Sequence, residues 1–153
     1  MEETMKVIVF SLSGQRFGAN IQQVISIEKM KEITKVPGTS SFIKGIFSFH
    51  GETVPVLDLK ERLQMEQTAQ TDSNRIIVVN IDNIQVGLIV DAATDVIDIE
   101  MEIIEDAKAM GGVIHKDYIK GVAKLANELL ILLDLGRVLA LEEKEELQEV
   151  LAN

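Results

Sequence analysis

The sequence contains no cysteine and no tryptophan, and only two prolines among its 153 residues. Without cysteine there can be no disulfide and no thiol nucleophile, and the absence of disulfides favours a reducing compartment. Fifteen lysines and arginines stand against 25 aspartates and glutamates, which gives a net charge of −10. Because nucleic-acid phosphates are bound by clustered basic side chains, this balance argues against an oligonucleotide-binding barrel and predicts no nucleic-acid partner.

Long hydrophobic runs are also missing. The longest apolar runs are strand-sized, well short of the ~20 residues that a membrane-spanning helix needs. The first residues, MEETMKVIVF, lack the basic and then apolar pattern of a signal peptide. We therefore expect a cytoplasmic protein without direct membrane insertion, and its 46% of hydrophobic residues suffice for one domain with a substantial core.

Motifs of known catalytic chemistry are absent as well. The sequence has no phosphate-binding glycine loop, no nucleophile elbow, no H-E-x-x-H pair and no EF-hand loop. The two histidines, His50 and His115, have no partner at a metal-ligand spacing, which favours a surface or turn position for both. We expect no catalytic residue, no cofactor and no metal site, and therefore no enzyme.

The densest acidic cluster leaves one alternative open. Glu100, Glu102, Glu105 and Asp106 supply four carboxylates, and hard cations prefer such oxygen ligands. Their spacing matches no calcium loop, so a solvated loop is favoured. A small metal- or ligand-binding β-barrel that uses Glu100–Asp106 remains the alternative function.

An internal repeat organises the chain. Three segments recur in the same order: 42–63 as 118–139, 6–12 as 75–81, and 24–28 as 96–100. The first match has an offset of 76 positions and eight identities in 22 positions, and the other two have offsets of 69 and 72. Such a series predicts two copies of one β-rich unit.

The repeat predicts the domain organisation. Residues 1–153 form a single domain with four parts: a first barrel subdomain 5–63, a linker 64–74, a second barrel subdomain 75–139 and a C-terminal helix 140–153. Each copy has about five short apolar strands. The predicted fold class is mainly β, with two similar five-stranded antiparallel barrels of the SH3 or OB type packed around a shared core, plus short helices.

Two aspartates occupy equivalent positions in the copies, Asp58 and Asp134. A pair of aspartates can perform acid–base chemistry when their pKa values differ. Each one precedes a short predicted helix, however, so helix capping is favoured, with Glu61 completing a capping box after Asp58. Asn20 is a further predicted cap.

The segment VPGTSSFIKGIFSFHGETVPVLDLKERL, residues 36–63, resembles the chemotaxis coupling protein (CheW) family, whose pattern here is roughly V-P-x-x-P-x-F-I-x-G-V-x-N-L-R-G-x-V-x-P-V-x-D-L-R-x-R-L. The second half agrees, because VGLIVDAATDV and YIKGVAKLANELLILLDLGRVL resemble the later blocks of the family. The similarity covers about residues 5–140. It implies a non-catalytic adaptor with two barrels.

The resemblance also implies partners and binding residues. Such adaptors link the cytoplasmic tips of chemoreceptors to the regulatory domain of the histidine kinase CheA, and are recruited to receptor arrays at the inner membrane face. The implied receptor-binding residues are Ile8, Ile21, Val24 and Ala93. The implied kinase-binding residues are Val36, Pro37, Gly45, His50, Gly51 and Val54.

Three positions depart from the family pattern. His50 stands where the family has arginine, Ser26 where some relatives have glutamate, and Ser40 where many have proline. An arginine offers a fixed, always-charged fork that an imidazole cannot replace. We expect these departures to affect the choice of partner or the strength of one contact.

Overall fold

The computed structural model describes residues 3–106, 118–139 and 141–152. The strands are β1 Thr4–Leu12, β2 Gln15–Asn20, β3 Val24–Lys29, β4 Ile43–Phe49, β5 Glu52–Asp58, β6 Arg75–Ile81, β7 Ile84–Val90, β8 Ala92–Glu100, β9 Ile104–Asp106, β10 Ile119–Lys124 and β11 Leu129–Leu133. The helices are α1 Leu59–Arg62 and α2 Leu141–Ala152, and 3-10 turns cover Ile21–Gln23, Met101–Ile103 and Leu135–Arg137. Neither described helix is long and apolar enough to cross a membrane.

The strands form two separate sheets. The first has the order β8-β1-β2-β11-β10-β9 and the second has the order β3-β6-β7-β5-β4. The prediction of a mainly β fold with short helices and a C-terminal helix is confirmed. The prediction of closed barrels is wrong, because the outer strands of each sheet do not pair with one another. Nor are the sheets wholly antiparallel, since β2 pairs with β11 and β5 with β7 in parallel.

Each sheet combines strands from both sequence copies. Residues 5–63 supply β1 and β2 to the first sheet and β3 to β5 to the second. Residues 75–139 supply β6 and β7 to the second sheet and β8 to β11 to the first. The boundary at linker 64–74 therefore separates the sequence copies but does not separate the two sheets.

The strand register reproduces the repeat with an offset of 76 in the β4–β5 and β10–β11 hairpins. Ile43 pairs with Leu57 as Ile119 pairs with Leu133, and in both hairpins the register shifts at the next residue. The two aspartates also match. Asp58 Oδ1 accepts from the amide of Lys60 at 3.0 Å, and Asp134 Oδ1 accepts from the amide of Gly136 at 3.0 Å.

The register of β3 and β8 corrects one part of the alignment. Val24 pairs with Val79 and Ala93 pairs with Phe10, which makes Val24 and Ala93 equivalent at an offset of 69, not 72. Both strands shift register at the following residue. The offset of 72 aligns two similar Val-Ile-x-Ile-Glu segments. The backbone pairing instead keeps the offset of 69 that relates β1 to β6.

Strands β1 and β6 are covered on both faces along their central residues, as the consecutive apolar residues there predict. In β1, Ile8, Phe10 and Leu12 point into a core shared by the two sheets, and alternate residues point into a smaller cluster behind the first sheet. Strand β6 divides in the same way between the shared core and a cluster behind the second sheet. The shared core therefore joins the two copies.

The predicted caps form, but the capping box does not. Asn20 Oδ1 accepts from the amide of Gln22 at 2.9 Å, and Asp58 caps α1 as described. Glu61 does not reach back to the amide of Asp58, which donates to the carbonyl of Phe42 at 2.8 Å. The Glu61 carboxylate instead lies 2.5 Å from Lys44 Nζ, and this hydrogen-bonded ammonium lowers the pKa of Glu61.

Candidate partner-binding surfaces

The outer strand β3 exposes large apolar side chains. Ile25 and Ile27 are 45% and 39% exposed, while Ser26 and Glu28 on the other face are half-buried. This is the reverse of the usual alternation, in which polar residues face water. Exposed apolar side chains on an unpaired sheet edge are typical of a surface that contacts another protein. Ile25 was not singled out from the sequence, because the alternation in β3 does not by itself show which face meets water.

The expected receptor-binding residues lie in three places: the shared core, the start of β8 and the turn that leads into β3. Ile8 is 2% exposed, so its side chain belongs to the shared core and offers no surface in this conformation. Ala93 is half-buried at the start of β8, on the strand that pairs with β1. Ile21 and Val24 are half-buried at the turn before β3 and at its first residue.

A groove runs beside Ile21. A cavity of about 240 Å³ is lined by Ile21 together with Met5, Asn20, Met101 and Lys120, among others. Its lining mixes apolar, amide and ammonium groups, a composition that suits a protein segment with both apolar and polar side chains. Of the expected receptor-binding residues, Ile21 is the one that lines this groove.

The expected kinase-binding residues divide into exposed and buried groups. Pro37, His50 and Gly51 are exposed and Val36 is half-buried. Val54 is 1% exposed, within the cluster behind the second sheet. Only the exposed and half-buried positions can touch a partner directly.

Gly45 is buried by a close approach of the backbone. Its φ is +145°, and a Cβ built there would lie 2.1 Å from the carbonyl oxygen of Thr34. That approach forms an isolated antiparallel bridge between Thr34 and Ile46, which lays the segment before β4 along the outer edge of β4. Gly45 therefore shapes the surface and does not itself present a side chain.

His50 and Gly51 form the two-residue turn between β4 and β5. Their φ angles are 50° and 80°, the left-handed pair that two-residue hairpin turns require. The imidazole packs edge-on against Phe49, with 4.3 Å between ring centroids. The turn therefore holds the exposed imidazole in a defined position at the end of β4.

A small charged cluster lies beside this turn. Ser26 Oγ donates to Glu28 Oε2 at 2.5 Å, and Lys31 Nζ lies 3.0 Å from Glu28 Oε1. These donors, the Ser26 hydroxyl first, lower the pKa of Glu28, and the charge of His50 acts in the same direction. Ser26 therefore contacts the Glu28 carboxylate and His50 acts on it electrostatically, and both are positions that depart from the family pattern.

The kinase-binding positions extend along one edge. Val36 follows the Thr34–Ile46 bridge by two residues, and His50 follows Ile46 by four. In an antiparallel arrangement these steps run in opposite directions, so the two residues are separated by roughly 20 Å at about 3.3 Å per residue. We call the set Val36, Pro37, His50 and Gly51 the β4-edge surface.

The acidic cluster does not support a metal site. Within residues 3–106, 118–139 and 141–152, no group of three or more histidines, aspartates or glutamates is arranged to hold an ion. Glu105 forms an ion pair with Lys124. The alternative function based on Glu100–Asp106 therefore has no support in this geometry, and His115 lies outside the described residues.

Comparison with known proteins identifies the family. The sequence matches the model of the CheW-like domain over residues 6–143. The chain belongs to the CheW family. It is 37% identical over 143 residues to the chemotaxis protein CheW of Bacillus subtilis, covering 92% of this chain and 90% of that protein. It is 29% identical over 136 residues to the chemotaxis protein CheW of Klebsiella aerogenes, covering 89% and 82%.

A solved CheW structure has the same fold. The scaffolding protein TtCheW from Thermoanaerobacter tengcongensis superposes with a TM-score of 0.84 at 34% identity, covering 94% of this chain and 97% of that one. The family predicted from the sequence is thereby confirmed. The chain is a CheW scaffold that couples chemoreceptors to CheA, a non-catalytic role in chemotactic signal transduction.

Proposed function

We propose that the chain binds the regulatory domain of CheA through the β4-edge surface and the cytoplasmic tip of a chemoreceptor through Ile21, Val24 and Ala93. The observation that carries the kinase assignment is the exposed His50-Gly51 turn at one end of an outer strand whose other end leads to Pro37. Both ends are accessible, and the turn fixes the geometry of the His50-Gly51 end.

Strand β4 suits a protein partner because it is an outer strand. Among the described residues, only the Thr34–Ile46 bridge continues the sheet beyond it. Unpaired edge groups bind other chains readily, and a turn at the end of such a strand restricts which chain fits. Gly45 and Val54 support this surface from inside, by admitting Thr34 and by filling the cluster beneath β5.

The receptor assignment is supported by internal symmetry. Val24 and Ala93 are equivalent positions of the two copies, each at the start of an outer strand and each half-buried. Ile21 adds the neighbouring groove. Ile8 contributes to this site only through the core that supports β1 and β8.

Calorimetric titration with two separate fragments tests this proposal. The wild-type chain should bind both the CheA regulatory domain and a receptor tip fragment. Ile21→Ser should weaken receptor binding selectively, and Pro37→Ser should weaken kinase binding selectively. Absence of binding to both fragments would refute the proposal, and exchange of the two selectivities would refute the assignment of the surfaces.

The location in the cell follows from the partners. CheW proteins are cytoplasmic, and we propose that this chain is recruited to receptor arrays at the inner face of the membrane. A fluorescent fusion should then form foci in cells that contain receptors and CheA. The foci should disperse when the receptors are deleted.

A further inference from the structure

We propose that the C-terminal helix α2 positions Val36 and Pro37 for the kinase, with Glu146 as the positioning residue. The inference rests on the proposed kinase contact of the β4-edge surface. It gives α2 a role in the kinase contact and no role in the receptor contact.

Glu146 holds the segment before β4 with both carboxylate oxygens. Its Oε2 accepts from the amide of Ser40 at 2.7 Å, and its Oε1 accepts from Ser40 Oγ at 2.6 Å. Two hydrogen bonds from adjacent donors to one carboxylate are charge-assisted and fix both distance and orientation. Ser40 is thereby attached to a helix that comes from the other end of the chain.

Ser40 passes this restraint to Val36 and to β4. Its neighbour Thr39 donates from Oγ1 to the carbonyl of Val36 at 3.1 Å. The carbonyl of Ser40 accepts from the amide of Ile43, the first residue of β4, at 3.0 Å. Gly38 lies between Val36 and Thr39 and has a φ of +80°, so the chain turns sharply there. The 36–40 loop is therefore closed on itself and fixed at its far end by Glu146.

Helix α2 is itself firmly placed. Leu147 is buried in the shared core, next in sequence to Glu146. Glu143 Oε1 lies 2.9 Å from Arg62 of α1, and Lys144 Nζ lies 2.7 Å from Asp82 in the β6–β7 turn. These contacts reach both sequence copies. A carboxylate on a helix held in this way can restrain a loop, because the helix does not follow the movement of the loop.

The identity of residue 40 decides whether this restraint can form. Proline has no amide hydrogen and could not form the 2.7 Å bond to Glu146. Ser40 stands where many family members have proline, which fixes its own φ without help. In this chain the restraint is supplied from outside the loop by α2.

Matched substitutions test the inference. Glu146→Ala removes both bonds, Ser40→Ala removes only the hydroxyl bond, and Glu149→Ala changes an exposed carboxylate on the same helix. We expect Glu146→Ala to weaken binding of the CheA regulatory domain about tenfold, as for loss of hydrogen bonds to a charged group. Ser40→Ala should have a smaller effect, Glu149→Ala none, and receptor-tip affinity should stay within about twofold throughout.

A second measurement reports on the loop directly. Hydrogen exchange at the amide of Ser40 should accelerate in Glu146→Ala and remain slow in Ser40→Ala, where the backbone bond is kept. Unchanged exchange would overturn the inference, as would equal loss of affinity for both fragments or unchanged kinase affinity. Failure of the wild-type chain to bind the kinase fragment would instead overturn the proposed function on which the inference rests.

Discussion

The ammonium of Lys60 lies 2.7 Å from Asp91 Oδ1, although the lysine side chain is only 5% exposed. The same ammonium donates to Thr68 Oγ1 at 2.6 Å, and Asp91 Oδ2 accepts from the amide of Ser13 at 2.7 Å. Lys60 belongs to the first copy, Asp91 connects β7 to β8, and Thr68 belongs to the linker. One buried ion pair therefore joins the linker to both sheets.

Lys60→Ala should destabilise the fold by about 3 kcal/mol, because removing one partner leaves a largely buried charge without its counter-ion. Lys6→Ala is the matched control. Lys6 and Asp98 also form an ion pair, at 3.3 Å, but both side chains are largely exposed. Its loss should cost between 0 and about 1 kcal/mol. Urea unfolding measures both values, and equal costs would contradict a special role for Lys60.

Gly45→Ala should destabilise the fold by about 3 kcal/mol or more, because the new methyl group meets the carbonyl of Thr34 and the positive φ is strained for alanine. Gly14→Ala is the control. Gly14 also has positive φ, of +80°, but no atom lies within 4 Å of a Cβ built there. It should cost only about 1 kcal/mol. If urea unfolding gave a similar loss of stability for both variants, the backbone at Thr34 would be able to move away from the new methyl group at little cost in free energy.

Ser26→Ala should raise the pKa of Glu28, because the hydroxyl is the main cause of its low value. A carboxylate with a lower pKa in the folded state adds stability above its ordinary pKa of 4.5, and this stability is lost as pH falls through the folded value. Ser26→Ala should therefore reduce the loss of stability between neutral and acidic pH.

Carbon-detected NMR titration measures this shift in the folded protein. Glu61, whose pKa is lowered by Lys44, serves as an internal control and should titrate unchanged in the Ser26→Ala variant. An unchanged Glu28 curve would mean that Lys31 and His50, and not the Ser26 hydroxyl, lower the pKa of Glu28.

His50→Arg should change the affinity for the CheA regulatory domain more than that for the receptor tip. The guanidinium is always charged and would extend from the exposed turn beside Glu28. We expect a change of several-fold in calorimetric titration, of the size that one charge-assisted contact gives. His50→Asn, which tolerates the left-handed conformation, controls for the turn itself. An equal change for both partners would contradict the assignment of the turn to the kinase.

The strands and the repeat were predictable because they depend on local patterns. Alternating and continuous apolar runs placed β1 and β6 within a residue or two, and the aspartate before each short helix predicted its cap. The resemblance around residues 36–63 predicted the family. The strand and cap signals each lie within a few neighbouring residues, and the repeat and the family resemblance are read from continuous segments of the sequence.

The pairing of strands was not predictable in the same way. The apolar pattern of β2 shows that it is buried. Nothing in that pattern shows whether β2 pairs with β5 of its own copy or with β11 of the other copy. The burial of Lys60 was missed for a similar reason. Its partners Asp91 and Thr68 are distant in sequence, and a lysine in a short polar helix is ordinarily exposed.

The parallel pairing of β2 with β11 has a consequence for how the protein is made. Phe17 leaves the ribosome well before its neighbour Ile131, because the whole of β3 to β10 lies between them in the sequence. Until then β2 lacks a partner on one side, and so does β1 until β8 is synthesised. Long-range pairing of this kind slows folding and leaves unpaired, aggregation-prone strand edges in the nascent chain. We expect the nascent chain to depend on chaperones until β11 has emerged.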